Sequence, residues 1–189
     1  MKRETARALI EHVRRTIEAA ASRRRVPALD CQDPEVRELR GAFVTLKKNG
    51  ELRGCIGHIM ADAPLAEVIS EMALAAAFQD PRFGPVSPAE VSKLSIEISV
   101  LTPFTPVADI SEIEVGKHGL MLSMGYRSGL LLPQVPGEWG WDRDEFLHHL
   151  CGKAGLPSGS HLDPRAKLMR FEAEVWSEED LAEQPQTCP

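Results

Sequence analysis

The pattern of apolar and polar positions predicts a helix followed by a β-hairpin at the start of the chain. Apolar residues recur every three or four positions over residues 5–22, which is typical of an amphipathic helix. Residues 41–47 and 51–58 have the composition of strands. Asn49-Gly50 lies between them and supplies the positive φ angles that a tight hairpin turn needs.

A helix and a third strand follow this hairpin in the predicted order. The helix covers residues 63–78 and is apolar on most sides, with Asp62 as its N-cap and Pro64 in its first turn. Residues 94–101 then alternate between apolar and polar side chains, which predicts a half-buried strand. Residues from about 41 to 101 therefore form one strand–strand–helix–strand unit.

The second half of the chain repeats this order. Strands are predicted over residues 119–124 and 127–132. A helix follows, with Asp142 as N-cap and Glu145 three residues later, which is the spacing of a capping box. A last strand is expected over residues 168–176, with Met169, Phe171, Ala173 and Val175 pointing inward. This gives a second unit over about residues 119–176.

The duplicated units predict an α+β fold with a mostly antiparallel sheet and flanking helices. The chain after Ser177 is acidic and then rich in Pro and Gln, so we expect residues 179–189 to form a flexible tail.

Composition and charge exclude several classes of protein. The net charge of −6 argues against a general nucleic-acid binder, and no stretch is apolar enough to span a membrane. The N-terminus has no apolar signal-peptide core, so we expect a cytoplasmic protein. Free thiols are then expected at the four cysteines, and no metal site is predicted because none of them forms a CxxC pair; they are Cys31, Cys55, Cys151 and Cys188.

The hexapeptide LRGCIG, residues 52–57, is the strongest candidate for chemistry. Cys55 would act as a catalytic nucleophile if Arg53 or a nearby histidine favoured its thiolate. Gly54 and Gly57 would let a ligand approach the backbone closely. The alternative is a buried, unreactive thiol in a strand whose glycines form a bulge. We favour a functional site for the segment as a whole, since packing alone does not require Arg53.

Further candidate residues lie outside this hexapeptide. Asp80 and Arg82 follow the first buried helix, and Arg82 either pairs with Asp80 or binds a carboxylate or phosphate of a ligand. His118 is a candidate general acid or base, or a surface turn residue. Gln134 follows an apolar strand and would orient a ligand, cap a helix or satisfy a loop carbonyl. His148 and Cys151 share a helix face, but their spacing indicates no complete metal site.

Together these segments resemble the AMMECR domain family, whose bacterial and archaeal members are called AmmeMemoRadiSam system protein A. The resemblance covers residues 5–178 as a single domain, with its motifs in the family's order. These motifs are FVTLKKNGELRGCIG, AAAFQDPRF, EISVLTPF, GKHG, LLLPQV and WD…FLHHLCGKAGL.

The resemblance implies a duplicated, barrel-like sheet with flanking helices, and LRGCIG as the family signature. It supplies no reaction and no cofactor, so enzyme activity is left open. The family's name associates it with a Memo-like protein, related in fold to extradiol dioxygenases, and with a radical S-adenosylmethionine protein. No three-cysteine cluster motif for an iron–sulfur cluster is present in this chain.

Two hypotheses about function follow. In the first, Arg53, Gly54, Gly57, Asp80, Arg82 and Gln134 contribute to a cleft that binds a small anionic ligand or substrate, with Cys55 and His118 as catalytic groups. In the second, the LRGCIG surface belongs to a non-catalytic adaptor that binds the partner proteins of its system. Self-association into a homodimer is compatible with either.

Overall fold

Two units, each with its own sheet and hydrophobic core, make up the chain. The computed structural model describes residues 1–60 and 62–182, so Cys188 lies outside the described residues. Unit 1 contains Met1–Leu101 and the described residues from Glu174 onward, and unit 2 contains Thr102–Ala173.

Helices and strands alternate along the chain in a mixed order. In chain order they are α1 (Arg3–Ala21), β1 (Ala42–Lys48), β2 (Glu51–His58), α2 (Leu65–Phe78), α3 (Pro88–Val91), β3 (Leu94–Leu101), β4 (Thr105–Pro106), β5 (Gly119–Met124), β6 (Arg127–Leu131), α4 (Gln134–Trp139), α5 (Arg143–Lys153), β7 (Lys167–Phe171), β8 (Ala173–Ser177) and α6 (Glu178–Ala182). Short 3-10 turns lie at Pro34–Arg37, Ile110–Glu112 and Ser160–Leu162.

The sheet of unit 1 has the strand order β2-β1-β3-β8. Val44 and Leu46 of β1 are completely buried, and α2 packs on β1 and β2 while α1 packs on α2 and β3. Burying one such aliphatic side chain contributes about 1.5–3 kcal/mol to folding. The hairpin turn is confirmed, with φ of 53° at Asn49 and 82° at Gly50.

The sheet of unit 2 has the strand order β4-β7-β5-β6, and α5 packs on β5 and β6. Its core contains Leu120, Leu122, Phe146 and Cys151, all fully buried. The capping box that the sequence predicts at Asp142 is present, since the Asp142 carboxylate accepts from the Glu145 amide at 2.9 Å.

Both units have the same strand pairing. In unit 1 the central strand β1 pairs antiparallel with β2 and β3, and in unit 2 the central strand β5 pairs antiparallel with β6 and β7. In each unit a helix follows the hairpin and packs on it. The predicted α+β class and the repeated strand–strand–helix–strand order are confirmed, with the strands divided between two four-stranded sheets.

Local predictions failed at three places. Helix α2 starts at Leu65 with Pro64 as its N-cap and without a side-chain cap, and the Asp62 carboxylate pairs with His58 Nε2 at 2.7 Å. Helix α4 was not predicted, and it places Gln134 at its first turn.

The third failure is the last strand, which is two strands separated at Glu172. The backbone N–H and C=O of Glu172 bond the side chain and backbone of Thr102, which interrupts the strand. The predicted alternation then breaks, so that Val175 is 49% exposed and Trp176 packs on the core of unit 1. Residues 178–182 form α6 with a buried Leu181, and the rest of the expected tail lies outside the described residues.

Candidate functional site

LRGCIG occupies β2, and its two glycines are explained by packing. A Cβ at Gly54 would lie 2.2 Å from the backbone oxygen of Ala76 in α2. A Cβ at Gly57 would lie 2.1 Å from the Phe43 ring. Each glycine therefore lets a neighbouring element of unit 1 approach the strand closely. Their predicted role in ligand binding is untested.

Arg53 is the extra residue of a β-bulge in this strand. Leu46 pairs with Gly54 and Lys47 pairs with Leu52, which leaves Arg53 without a partner in the ladder. Bulges redirect side chains and often occur beside functional sites. The alternative interpretation placed the bulge at the glycines, and the structure places it at the arginine.

Asp80 connects the end of α2 to the LRGCIG strand. Its carboxylate accepts a hydrogen bond from the Cys55 backbone N–H at 2.9 Å. It also accepts from the backbone and guanidinium of Arg82, at 2.7–3.1 Å. The Asp80 side chain is only 2% exposed. The Arg82 guanidinium holds the pKa of this carboxyl well below its usual range.

Arg82 keeps free surface although it pairs with Asp80. Its guanidinium also donates to the Cys55 carbonyl at 3.2 Å, and its side chain remains 52% exposed. The prediction that Asp80 and Arg82 pair with each other is thus the observed arrangement, and the exposed part of the guanidinium is still available to an anion.

The Arg53 side chain is bound by Glu90, which lies in the short helix α3. Glu90 accepts from Arg53 Nε at 2.9 Å and from Lys48 Nζ at 2.8 Å. Arg53 and Lys48 lower the pKa of Glu90 to about 2. Arg53 Nη1 is buried and has no hydrogen-bond partner among the described residues.

The two arginines converge on one aromatic ring. Arg53 Cζ lies 5.8 Å and Arg82 Cζ 5.5 Å from the centroid of the Phe83 ring, within the range of cation–π attraction. Cys55 lies beside them, half-buried, and its Sγ accepts from Thr45 Oγ1 at 3.2 Å. We call this set the cysteine–arginine cluster; it contains Lys48, Arg53, Cys55, Asp80, Arg82, Phe83 and Glu90.

Sequence reasoning found part of this cluster. It identified Arg53, Cys55, Asp80 and Arg82, but it missed Glu90, which is 37 positions from Arg53. The segment from Ser87 to Glu90 has the S-x-x-E spacing of a capping box, and the structure contains that cap. The spacing therefore indicates only that Glu90 lies in the first turn of a helix. No feature of the sequence near Glu90 indicates that its partner is Arg53.

The remaining candidates lie in unit 2. His118 is buried at the start of β5 and accepts a hydrogen bond from the Glu114 backbone at its Nδ1. Gln134 is exposed at the start of α4. A cleft shared by these residues and the cysteine–arginine cluster stays a prediction.

An Asp-Pro-Arg turn like that of the cluster recurs in unit 2. Arg165 donates to the Asp163 carboxylate with the same three groups, at 2.7–3.0 Å. Arg165 is 79% exposed, compared with 52% for Arg82. It is a matched control for Arg82.

Within residues 1–60 and 62–182, no three His, Cys, Asp or Glu side chains are arranged to hold a metal ion. In the same part of the chain, no helix has both the length and the apolar character needed to cross a membrane.

Comparison with known proteins gives a consistent assignment. The AMMECR1 family model matches residues 10–176. A protein of Methanothermobacter thermautotrophicus is 44% identical over 186 residues, covering 95% of this chain and 97% of its own. Protein TK0174 of Thermococcus kodakarensis is 44% identical over 190 residues, covering 95% and 93%. The crystal structure of protein PH0010 from Pyrococcus horikoshii superposes with a TM-score of 0.82 at 40% identity, covering 95% and 94%. The chain therefore belongs to the AMMECR1 family.

Proposed function

We propose that the cysteine–arginine cluster binds a small anionic ligand or substrate, with its negative group against the exposed part of Arg82 and its remainder beside Cys55. The observation that carries this proposal is the convergence of Arg53 and Arg82 on Phe83 next to a half-buried thiol. Both glycines of LRGCIG are explained by packing, so the proposal rests on these side chains.

The charge of the cluster supports an anion. It contains three cationic side chains and two carboxylates, so it is locally positive in a chain whose net charge is −6. A planar guanidinium that is half exposed can bind a carboxylate or phosphate with two parallel hydrogen bonds.

The test compares alkylation of Cys55 by an anionic and a neutral reagent of similar size. Iodoacetate is expected to react with Cys55 faster, relative to iodoacetamide, than it does with a model thiol. Arg82→Gln is expected to lower that ratio by about threefold because a nearby positive charge is removed. Peptide mass spectrometry reads the rate at Cys55 separately from the other cysteines.

Two further variants make this test specific. Arg165→Gln removes the matching arginine of unit 2 and is expected to leave the ratio unchanged. Arg82→Lys keeps the charge and is expected to retain most of the preference. Equal ratios for wild type, Arg82→Gln and Arg165→Gln would contradict anion binding at the cluster.

Within this proposal the protein is a component of a pathway with a Memo-like protein and a radical S-adenosylmethionine protein. The support for these partners is the family resemblance. Co-purification of the tagged chain with each candidate partner tests it. The result would count against the proposal if neither partner co-purified and if loss of each protein gave no shared cellular phenotype.

The second candidate is an adaptor, and one observation favours it. Leu52, the first residue of LRGCIG, is an apolar side chain with 42% of its surface exposed. We expect Leu52→Ser to weaken partner binding in that case. Leu162→Ser, which changes a 70% exposed leucine of unit 2, is the control. Full activity of Cys55→Ser in cells would favour the adaptor over nucleophilic catalysis.

A further inference from the structure

Unit 2 contains a cavity of about 610 Å³ beside the start of β5. Its charged lining residues are two cations, Lys117 and Arg170, and two carboxylates, Glu114 and Glu172. These charges balance, which suits a neutral or singly charged ligand better than a multiply charged one.

His118 offers this cavity an unused hydrogen-bond donor. Its side chain is 6% exposed, and its Nδ1 accepts from the Glu114 backbone N–H at 3.0 Å. The neutral imidazole therefore carries its proton on Nε2. The nearest carboxylate oxygen, Oε1 of Glu172, is 3.7 Å from Nε2, which is too long for a hydrogen bond. Nε2 is therefore a donor that lines the cavity and has no acceptor within hydrogen-bond distance among the described residues, so an acceptor from a ligand can bond to it.

Lys117 provides a second hydrogen-bond donor near the Glu172 carboxylate. Its Nζ donates one hydrogen bond to Glu114 Oε1 at 3.3 Å, and with its two remaining N–H groups it lies 3.7 Å from Oε1 of Glu172. Two donors thus converge on one carboxylate oxygen that neither of them bonds. Glu172 is 47% exposed, so its side chain has room to rotate toward solvent.

We propose that this cavity is a second ligand site, which binds a small monocarboxylate between His118 Nε2 and Lys117 Nζ. The ligand carboxylate occupies the position near His118 Nε2 and Lys117 Nζ that the Glu172 carboxylate now partly fills, and the Glu172 side chain rotates toward solvent. This proposal concerns residues of unit 2, and it does not depend on the proposal for the cysteine–arginine cluster.

Nuclear magnetic resonance of the ¹⁵N-labelled imidazoles tests the proposal, with sodium acetate as the probe. Ionic strength is held constant with sodium chloride. Acetate is expected to shift His118 Nε2 in a saturable way. Glu172→Gln removes a competing negative charge and is expected to lower the Kd for acetate by about three- to tenfold. Lys117→Gln is expected to raise it.

Glu138→Gln is the matched control. It makes the same charge change at an exposed position of α4, outside the cavity lining, and is expected to leave the Kd unchanged. An equal effect of Glu138→Gln and Glu172→Gln would overturn the site. So would a His118 signal that acetate leaves unshifted in both wild type and Glu172→Gln. Tighter binding of inorganic phosphate than of acetate would overturn the assignment to a carboxylate.

Discussion

At the scale of single residues, the carboxylate of Asp80 determines the geometry around Cys55. It holds the Cys55 backbone from one side and the Arg82 guanidinium from the other, while its own side chain is 2% exposed. Asp163 makes the same contacts to Arg165 in unit 2 but is 27% exposed. The two turns therefore differ in burial rather than in local sequence.

Asp80→Asn is expected to destabilise the protein by about 2–3 kcal/mol, because hydrogen bonds to a charged partner are lost in a buried place. The carboxyl has a lowered pKa in the folded state, so its contribution is present above about pH 4 and is lost as pH falls further. Urea unfolding at pH 7 and at pH 3–4 measures both effects. Asp163→Asn is the control, and a loss as large as that of Asp80→Asn would contradict the role of burial.

His12 gives a pH dependence of the same sign in a higher pH range. Its Nε2 bonds Ser70 Oγ at 2.7 Å, and Nδ1 is buried without a partner among the described residues. Burial lowers the pKa of His12. The folded state therefore binds fewer protons than the unfolded state, and the free energy of unfolding decreases as pH falls below about 6.5.

We expect His12→Gln to reduce this slope between pH 7 and pH 5 in urea titrations. His149→Gln removes an exposed imidazole and is expected to leave the slope as it is. An unchanged slope in His12→Gln would show that His12 stays protonated or accessible in the folded protein.

At the scale of elements, each hairpin needs a glycine where a helix crosses it. Gly54 of β2 faces the Ala76 oxygen of α2, and Gly129 of β6 faces the backbone of Lys153 and Ala154 at the C-terminal end of α5. A Cβ at Gly129 would lie 2.4 Å from the Ala154 nitrogen. This shared requirement is the clearest trace of duplication, because it depends on backbone contact rather than on similar side chains.

Gly54→Ala and Gly129→Ala are each expected to cost about 3 kcal/mol, since the methyl group meets rigid backbone and forces the helix away. Thermal or urea unfolding measures this. Gly84→Ala is the control, because a Cβ there meets nothing within 4 Å. A loss below about 1 kcal/mol at Gly54 would mean that α2 shifts without strain.

At the scale of the whole molecule, unit 1 is completed by the chain that follows unit 2. Strand β8 pairs with β3, and Trp176 and Leu181 pack on the core of unit 1. Glu174 bonds the buried Arg40 at 2.9 Å, across 134 positions of sequence. Unit 1 is therefore discontinuous in sequence.

A chain ending at Ala173 is expected to lose several kcal/mol of stability and to aggregate, because β3 becomes an open edge and Arg40 loses a partner. A chain ending at Ala182 keeps every contact just named and is expected to match the full chain. Size-exclusion chromatography and urea unfolding compare the three. A stable monomer of the shorter chain would contradict the need for β8.

Local patterns were sufficient for most elements and for four of the seven residues of the cluster. The hairpin at Asn49-Gly50, the helix cap at Asp142 and the central strands depend on neighbours in sequence, so periodicity and turn chemistry predict them. LRGCIG was identified because its residue types conflict with an ordinary strand. The site residues of unit 1 then converge because β2 and the segment after α2 meet.

The sequence by itself determined the α+β class, the repeated order of elements and the identity of Arg53, Cys55, Asp80 and Arg82 as unusual residues. Only the tertiary structure decided that Arg53 is the bulged residue, that Glu90 neutralises it, and that the last strand divides at Glu172. These features depend on contacts between residues far apart in the chain, where partners are chosen by packing and charge rather than by spacing. LRGCIG therefore needs its glycines because α2 and Phe43 pack closely against the strand, and these contacts cannot be predicted from the sequence alone.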